Sequence, residues 1–158
     1  MGRLKQIEAI KQVKYRYLRC LDSKLWDEMR EVFSDDAVSS YDHGRYAFEG
    51  PDAIIGFLKD TLDRPGVISR HQVHHPEIEL LDGKSARGRW YLEDYVIHAG
   101  TGHPVMRDRV ELRGAAFYED EYARIKGAWK IRRTGYERTY EEQRDLPEKG
   151  HTLRSRWT

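Results

Sequence analysis

Near residue 67 the hydrophobic period of this chain changes, and that change limits its possible folds more than any other feature. Upstream, apolar residues recur every three or four positions. "RLKQIEAIKQVKYRYLRCL" has no Gly or Pro and puts Ile7, Ile10, Val13, Tyr17 and Cys20/Leu21 on one helical stripe. "DSKLWDEMREVF" opens with Asp22 and Ser23, both good caps, so a second helix is expected to start there. A short strand, "AVSSY", follows, and "GPDAIIGFLKDTL" carries Pro at a helix start with Ile54, Ile55, Leu58 and Leu62 behind it.

Downstream the period is two. "VISRHQVHH" and "EIELLDG" flank Pro76, which should mark a bulge or an edge. An Asp-Gly turn signal precedes "GRWYLEDYVI"; "VMRDRVELRGAAFYEDEYARI", the turn "KGA" and "WKIRRTGYERTYEE" complete an antiparallel set. Helices followed by long strands predict an α+β fold with helices packed on one side of a sheet. At 158 residues one domain spanning 1–158 is expected, with 143–158 as a polar arm. If the sheet curves, its concave side and the helices enclose an apolar pocket, and polar residues pointing inward become candidates for chemistry.

Alternation along "GRWYLEDYVI" puts Trp90, Leu92, Asp94 and Val96 on the inward face. An unpaired buried carboxylate costs several kcal/mol, about the whole margin of a small domain, so Asp94 needs a partner. The same parity on the preceding strand turns His71 inward with Val73, which makes the imidazole the expected partner of Asp94. A carboxylate beside an imidazole fixes its tautomer and makes it a better base. Tyr17, on the helical stripe, is either a core aromatic or a phenol donor to a developing oxyanion. Asp22 is either a cap or a pocket carboxylate. Arg138 is either a surface ion-pair residue or an anchor for Asp22 or an anionic group. Tyr41 is either packing or a second phenol donor, and Tyr136 shares a strand face with Arg138 and Tyr140.

Composition excludes several classes. With 28 basic and 27 acidic side chains the formal net charge is +1, unlike a nucleic-acid binder. The single cysteine, Cys20, gives no disulfide framework and is expected to be a small buried hydrophobe. No apolar run approaches the roughly 20 residues of a membrane span, so a cytoplasmic protein with no membrane partner is expected. His71, His75 and Asp94 could make a two-His-one-carboxylate site on strands, but no further acidic or His ligand has matching inward placement, and no metal is expected. Phosphate-loop, dinucleotide and Gly-x-Ser-x-Gly patterns are missing from the sequence.

"AIKQVKYRYLRCLDSKLWDEM", "RHQVHHPEI", "GRWYLEDYVI", "GAAFYEDEY" and "TGYERTYEE", in this order and spacing, resemble the bile-acid 7α-dehydratase group. That group lies in the SnoaL-like branch of the NTF2-like superfamily, and the resemblance runs from about residue 7 to about residue 142. It implies an NTF2-like (cystatin-like) cone with a deep apolar pocket, and cofactor-free removal of water from a hydroxysteroid bearing a conjugated ketone. Carried over by position, its catalytic residues fall on Tyr17, Asp22, His71, Asp94 and Arg138. Tyr41, Trp90, Arg113 and Tyr136 are the expected substrate contacts. The resemblance also implies association of copies into a homo-oligomer, with a trimer as the form considered.

Three departures bear on the substrate: Val73, His75 after His74, and the stretch "GTGHPVMRDRVELR", which is expected to bring Arg113 to the pocket wall. Another steroid or polycyclic hydroxy-ketone therefore stands beside a bile acid. A ketosteroid-isomerase-like proton shuttle and a non-catalytic binding or association domain are the alternatives, since this fold is widely reused.

Overall fold

The computed structural model describes residues 2–150 and 152–156. Helix α1 (Arg3–Ser23) is followed by the single turn α2 (Trp26–Arg30), strands β1 (Phe33–Tyr41) and β2 (Tyr46–Glu49), and helix α3 (Pro51–Leu62). Four long strands complete the chain: β3 (Val67–Leu80), β4 (Ser85–His98), β5 (Val110–Ile125) and β6 (Ala128–Asp145). They form one curved six-stranded sheet in the order β2-β1-β6-β5-β4-β3, with the helices on one side, as the α+β pattern requires.

One strand pair departs from the expected antiparallel set: β1 runs parallel to β6. β1 and β6 are far apart in sequence, so no hairpin dictates their direction. The two backbones approach so closely that a Cβ on Gly135 would strike the Ser40 carbonyl, and only glycine fits there. β5 and β6 join through Lys126–Gly127, both with positive φ (49° and 88°), the geometry a two-residue hairpin needs. Pro76 sits where it was expected, in a bulge between His74 and Glu77 on the edge strand β3.

That bulge corrects one reading. His75 takes a φ of 34° and is exposed with its ring 6.2 Å from Tyr91, so it no longer shares the inward face of His71. A second correction concerns the helices. α1 does not stop at Asp22; it continues to Ser23 and ends with Lys24 in the left-handed conformation, the Leu25 N–H bonding back to the Cys20 carbonyl. Asp22 therefore caps nothing and stands in the last turn of α1, pointing toward β3.

Under the sheet, one region is filled and another is hollow. In the filled region Lys14 of α1 and Asp120 of β5 are both fully buried, with Nζ 2.8 Å from Oδ2. Burial lowers the Lys14 pKa, and the charge of Asp120 beside it opposes that shift. Asp120 also accepts from Thr134 Oγ1 and the Tyr122 hydroxyl (2.7 Å each), and Tyr122 accepts from Trp90 Nε1 at 3.0 Å. The ammonium lies 3.3 Å above the Tyr118 ring. Removing one member of a buried ion pair strands the other. Lys14→Met should cost about 3–5 kcal/mol in urea unfolding, and adding Asp120→Asn should restore most of it. Equal stability of the single and double variants would contradict this account.

Candidate active site

The hollow region is a cavity of about 200 Å³. Tyr17 and Leu21 reach it from α1, Phe57, Leu58, Thr61 and Leu62 from α3, and Tyr41 from β1. The long strands supply His71, Asp94, Val96, Leu112, Tyr118, Tyr136 and Arg138. Inward parity makes this lining: β5 buries Leu112, Gly114, Ala116, Tyr118 and Asp120 in alternation, and β4 buries Trp90, Leu92, Asp94 and Val96.

His71 and Asp94 are register partners across β3 and β4, and both face the cavity. They are nevertheless not each other's partners, which corrects the sequence expectation. The Asp94 carboxylate takes both arms of the Arg138 guanidinium, Nη1 to Oδ1 at 2.6 Å and Nη2 to Oδ2 at 2.8 Å. A planar fork matches a carboxylate better than one ring nitrogen does, so Arg138 wins the contest for a carboxylate that is 3% exposed. Burial works against the Arg138 charge, yet its hydrogen bonds to Asp94 hold its pKa above the ordinary arginine value. The fork reaches Asp94 across Gly114. A Cβ there would collide with Arg138 Nη1 and come within 3.0 Å of Asp94 Oδ1.

His71 is held instead by Asp22. Its Nδ1 lies 2.7 Å from Asp22 Oδ1, its backbone N–H donates to Oδ2 at 2.7 Å, and Ser69 Oγ donates to Oδ1 at 2.8 Å. Burial pushes the Asp22 carboxyl up, but the hydrogen bonds and charge of His71, with help from Ser69, outweigh it and leave Asp22 below its ordinary value. An ionised carboxylate only accepts, so Nδ1 carries a hydrogen, and in the neutral ring the lone pair is on Nε2. His71 lines the cavity and Asp22 stands behind it. The arrangement is that of an oriented general base.

A phenol cluster lies in the same cavity. Tyr17 and Tyr41 hydroxyls are 3.0 Å apart, with Tyr118 and Tyr136 packed edge to face beside them. Burial raises Tyr17, Tyr41 and Tyr118 well above the ordinary phenol value and Tyr136 to about 12, so all four remain donors. A hydrogen bond between two phenols uses one of their two protons and leaves the other for a ligand or a neighbour.

Seven of the nine expected residues are thus brought together: Tyr17, Asp22, Tyr41, His71, Asp94, Tyr136 and Arg138. Two are not. Trp90 is fully buried against Tyr15 and Tyr122, away from the cavity lining, because its ring turns toward the Asp120 network. Arg113 has the outward parity of β5; it is exposed, 3.6 Å from Glu111 and 5.1 Å over the Tyr95 ring. Tyr118 was missed, although the alternation of "GAAFYEDEY" contained the signal. His103, Val105 and Met106 of the β4–β5 loop also reach the cavity, and no periodic pattern marks them.

Two outcomes follow from this geometry. Gly114→Ala should displace the Arg138 fork and cost about 1–3 kcal/mol of overpacking, read by thermal unfolding; an unshifted midpoint contradicts the close approach. Because Asp22 is held below its ordinary 3.8, its pair adds stability that is complete above that value and lost as pH falls through the folded value. Acid unfolding of Asp22→Asn should lack this component, and a curve matching wild type would refute it.

Residues 2–135 match the model of the SnoaL-like domain. Among solved structures, hexachlorocyclohexane dehydrochlorinase (LinA) Type2 superposes with a TM-score of 0.78 at 18% identity, covering 94% of this chain and 97% of that one. A protein assigned as a scytalone dehydratase, from Novosphingobium aromaticivorans DSM 12444, gives 0.73 at 20% identity over 95% and 97%. A cystatin-like protein of unknown function from Nostoc punctiforme PCC 73102 gives 0.64 at 20% over 87% and 93%. At these identities the superpositions establish the shared fold, and the family match covers most of the sequence. The chain belongs to the SnoaL-like domain family.

Proposed function

We propose that this protein is a cofactor-free lyase that removes water from a hydroxylated, conjugated ketone, with a hydroxysteroid or related polycyclic hydroxy-ketone as the substrate class. The observation that carries the proposal is the oriented base in an apolar cavity: His71, held by Asp22, beside the Tyr17–Tyr41 phenol pair. Relatives of the same fold whose names describe eliminations, a dehydrochlorinase and a scytalone dehydratase, support it.

Loss of hydroxide from an unactivated carbon is slow, whereas a conjugated carbonyl accepts charge as a carbon-bound proton leaves. His71 Nε2 takes that proton. The electron pair of the broken C–H bond moves onto the carbonyl oxygen, where the buried phenols donate to it; such donors contribute about 3 kcal/mol each. As the enolate collapses, the C–O bond breaks, and the imidazolium returns its proton to the departing hydroxide as water. Asp22 keeps the imidazole in the working tautomer and stabilises its cationic form. Arg138, neutralised by Asp94, shapes the wall.

The test is a panel of hydroxy-3-oxo steroids followed by mass spectrometry, where dehydration gives a product lighter by one water and isomerisation leaves the mass unchanged. His71→Ala should abolish turnover in a folded protein. Asp22→Asn should lower kcat by roughly a hundred- to ten-thousand-fold, and Tyr17→Phe by about a hundredfold. A folded His71→Ala variant of full activity would falsify the assigned base.

A further inference from the structure

The loop between β4 and β5, residues 99–109, carries Val105 and Met106 into the cavity wall. One side chain organises it. His103 Nε2 lies 2.7 Å from the Thr61 carbonyl of α3, and a carbonyl only accepts, so Nε2 bears the hydrogen. Its Nδ1 is 3.0 Å from the backbone N–H of both Val105 and Met106 and accepts from each. Pro104 has no N–H, so these are the first two backbone donors after His103. Both ring nitrogens are committed, and only the neutral Nε2–H tautomer satisfies them.

We infer that His103 is a positioning residue for the ligand cavity, whose neutral ring holds Val105 and Met106 in the wall and whose protonation releases them. The inference rests on reading this cavity as the ligand site. A proton on Nδ1 would face two N–H donors and leave both amides without an acceptor. The groups facing the ring are His98 of β4 (centroids 5.0 Å apart), Arg64 just after α3 and Asp108 of the loop itself. Burial lowers the His103 pKa first; the Thr61 carbonyl and Asp108 oppose this, while His98 and Arg64 reinforce it. For a histidine lowered on folding, the latch is complete above the ordinary 6.5 and lost as pH falls through the folded value. Arg64 also donates to the Gly102 carbonyl at 3.0 Å, and Asp108 accepts from the Gly102 N–H at 2.7 Å, so the loop base stays anchored while its tip is released.

Amide hydrogen exchange of Val105 and Met106 tests this in the full chain, beside binding of the apolar dye anilinonaphthalene sulfonate. The variant His103→Asn keeps a side-chain acceptor two and three residues before those amides but takes up no proton, and His103→Leu has no acceptor at any pH. Between about pH 7.5 and about pH 5, wild-type protection at both amides should fall about tenfold and dye affinity should fall with it. His103→Asn should change less than about twofold, and His103→Leu should resemble acidified wild type throughout. His71 is present in all three proteins, so its contribution cancels in the comparison. Nitrogen NMR should find the hydrogen on Nε2 of His103. Protection independent of pH in wild type, the same loss in His103→Asn, an Nδ1–H tautomer, or amide release without a change in dye affinity would each overturn the inference. None of these readouts uses turnover, so failure of the lyase assignment would be seen separately.

Discussion

A carboxylate under an apolar sheet must find a cation or a set of donors, and this requirement organises the molecule. Three carboxylates show it, each with a different partner: Asp120 meets Lys14, Asp94 meets Arg138, and Asp22 meets His71. The partners determine what each pair can do. Lys14 and Asp120 are sealed among aromatic rings and serve packing. Arg138 never gives up its proton, so its pair with Asp94 is a fixed, neutral part of the wall. The third pair holds an imidazole, the side chain suited to both accepting and returning a proton.

Parity and period carried much of the fold. The change near residue 67, the Lys126–Gly127 turn and the bulge at Pro76 all follow from local rules of strand and turn chemistry. The same parity turned His71, Asp94 and Tyr136 toward the cavity. Parity gives a direction but not a partner. His71 and Asp94 face the same way from neighbouring positions, yet the bonds are made with residues distant in sequence, Asp22 and Arg138. Which one Asp94 takes depends on Gly114 leaving a path for the guanidinium, and nothing in the alternation pattern reports that path.

Other misreadings have equally local causes. Asp22 resembled a helix cap because Lys24 hides the end of α1: a left-handed residue that is not glycine carries no sequence signal. Trp90 was correctly turned inward but lies on the filled part of the sheet, and distance along a strand decides between cavity and core. Arg113 stands on the outward parity of β5, and its charge suggested a role that its position does not allow. The loop that brings His103, Val105 and Met106 to the cavity has no period, so only the fold reveals its contribution.

The cavity therefore places one carboxylate-held imidazole, His71, beside several proton donors of fixed state, while the second imidazole, His103, has both ring nitrogens committed to backbone groups. Burial keeps the phenols protonated, and the guanidinium keeps its charge, whatever the pH near neutrality. A ligand entering the cavity meets the His71 imidazole, oriented by Asp22 and able to take and return a proton, set beside hydroxyls that favour negative charge on oxygen. A reaction suited to these groups moves one proton from carbon to the imidazole and back to an oxygen, while a second oxygen carries transient charge. Elimination of water next to a conjugated carbonyl has that form. The other imidazole of the wall, His103, is committed to the Thr61 carbonyl and two loop amides, which is why the Asp22 bond to His71 matters more to the proposed function than any apolar contact in the wall.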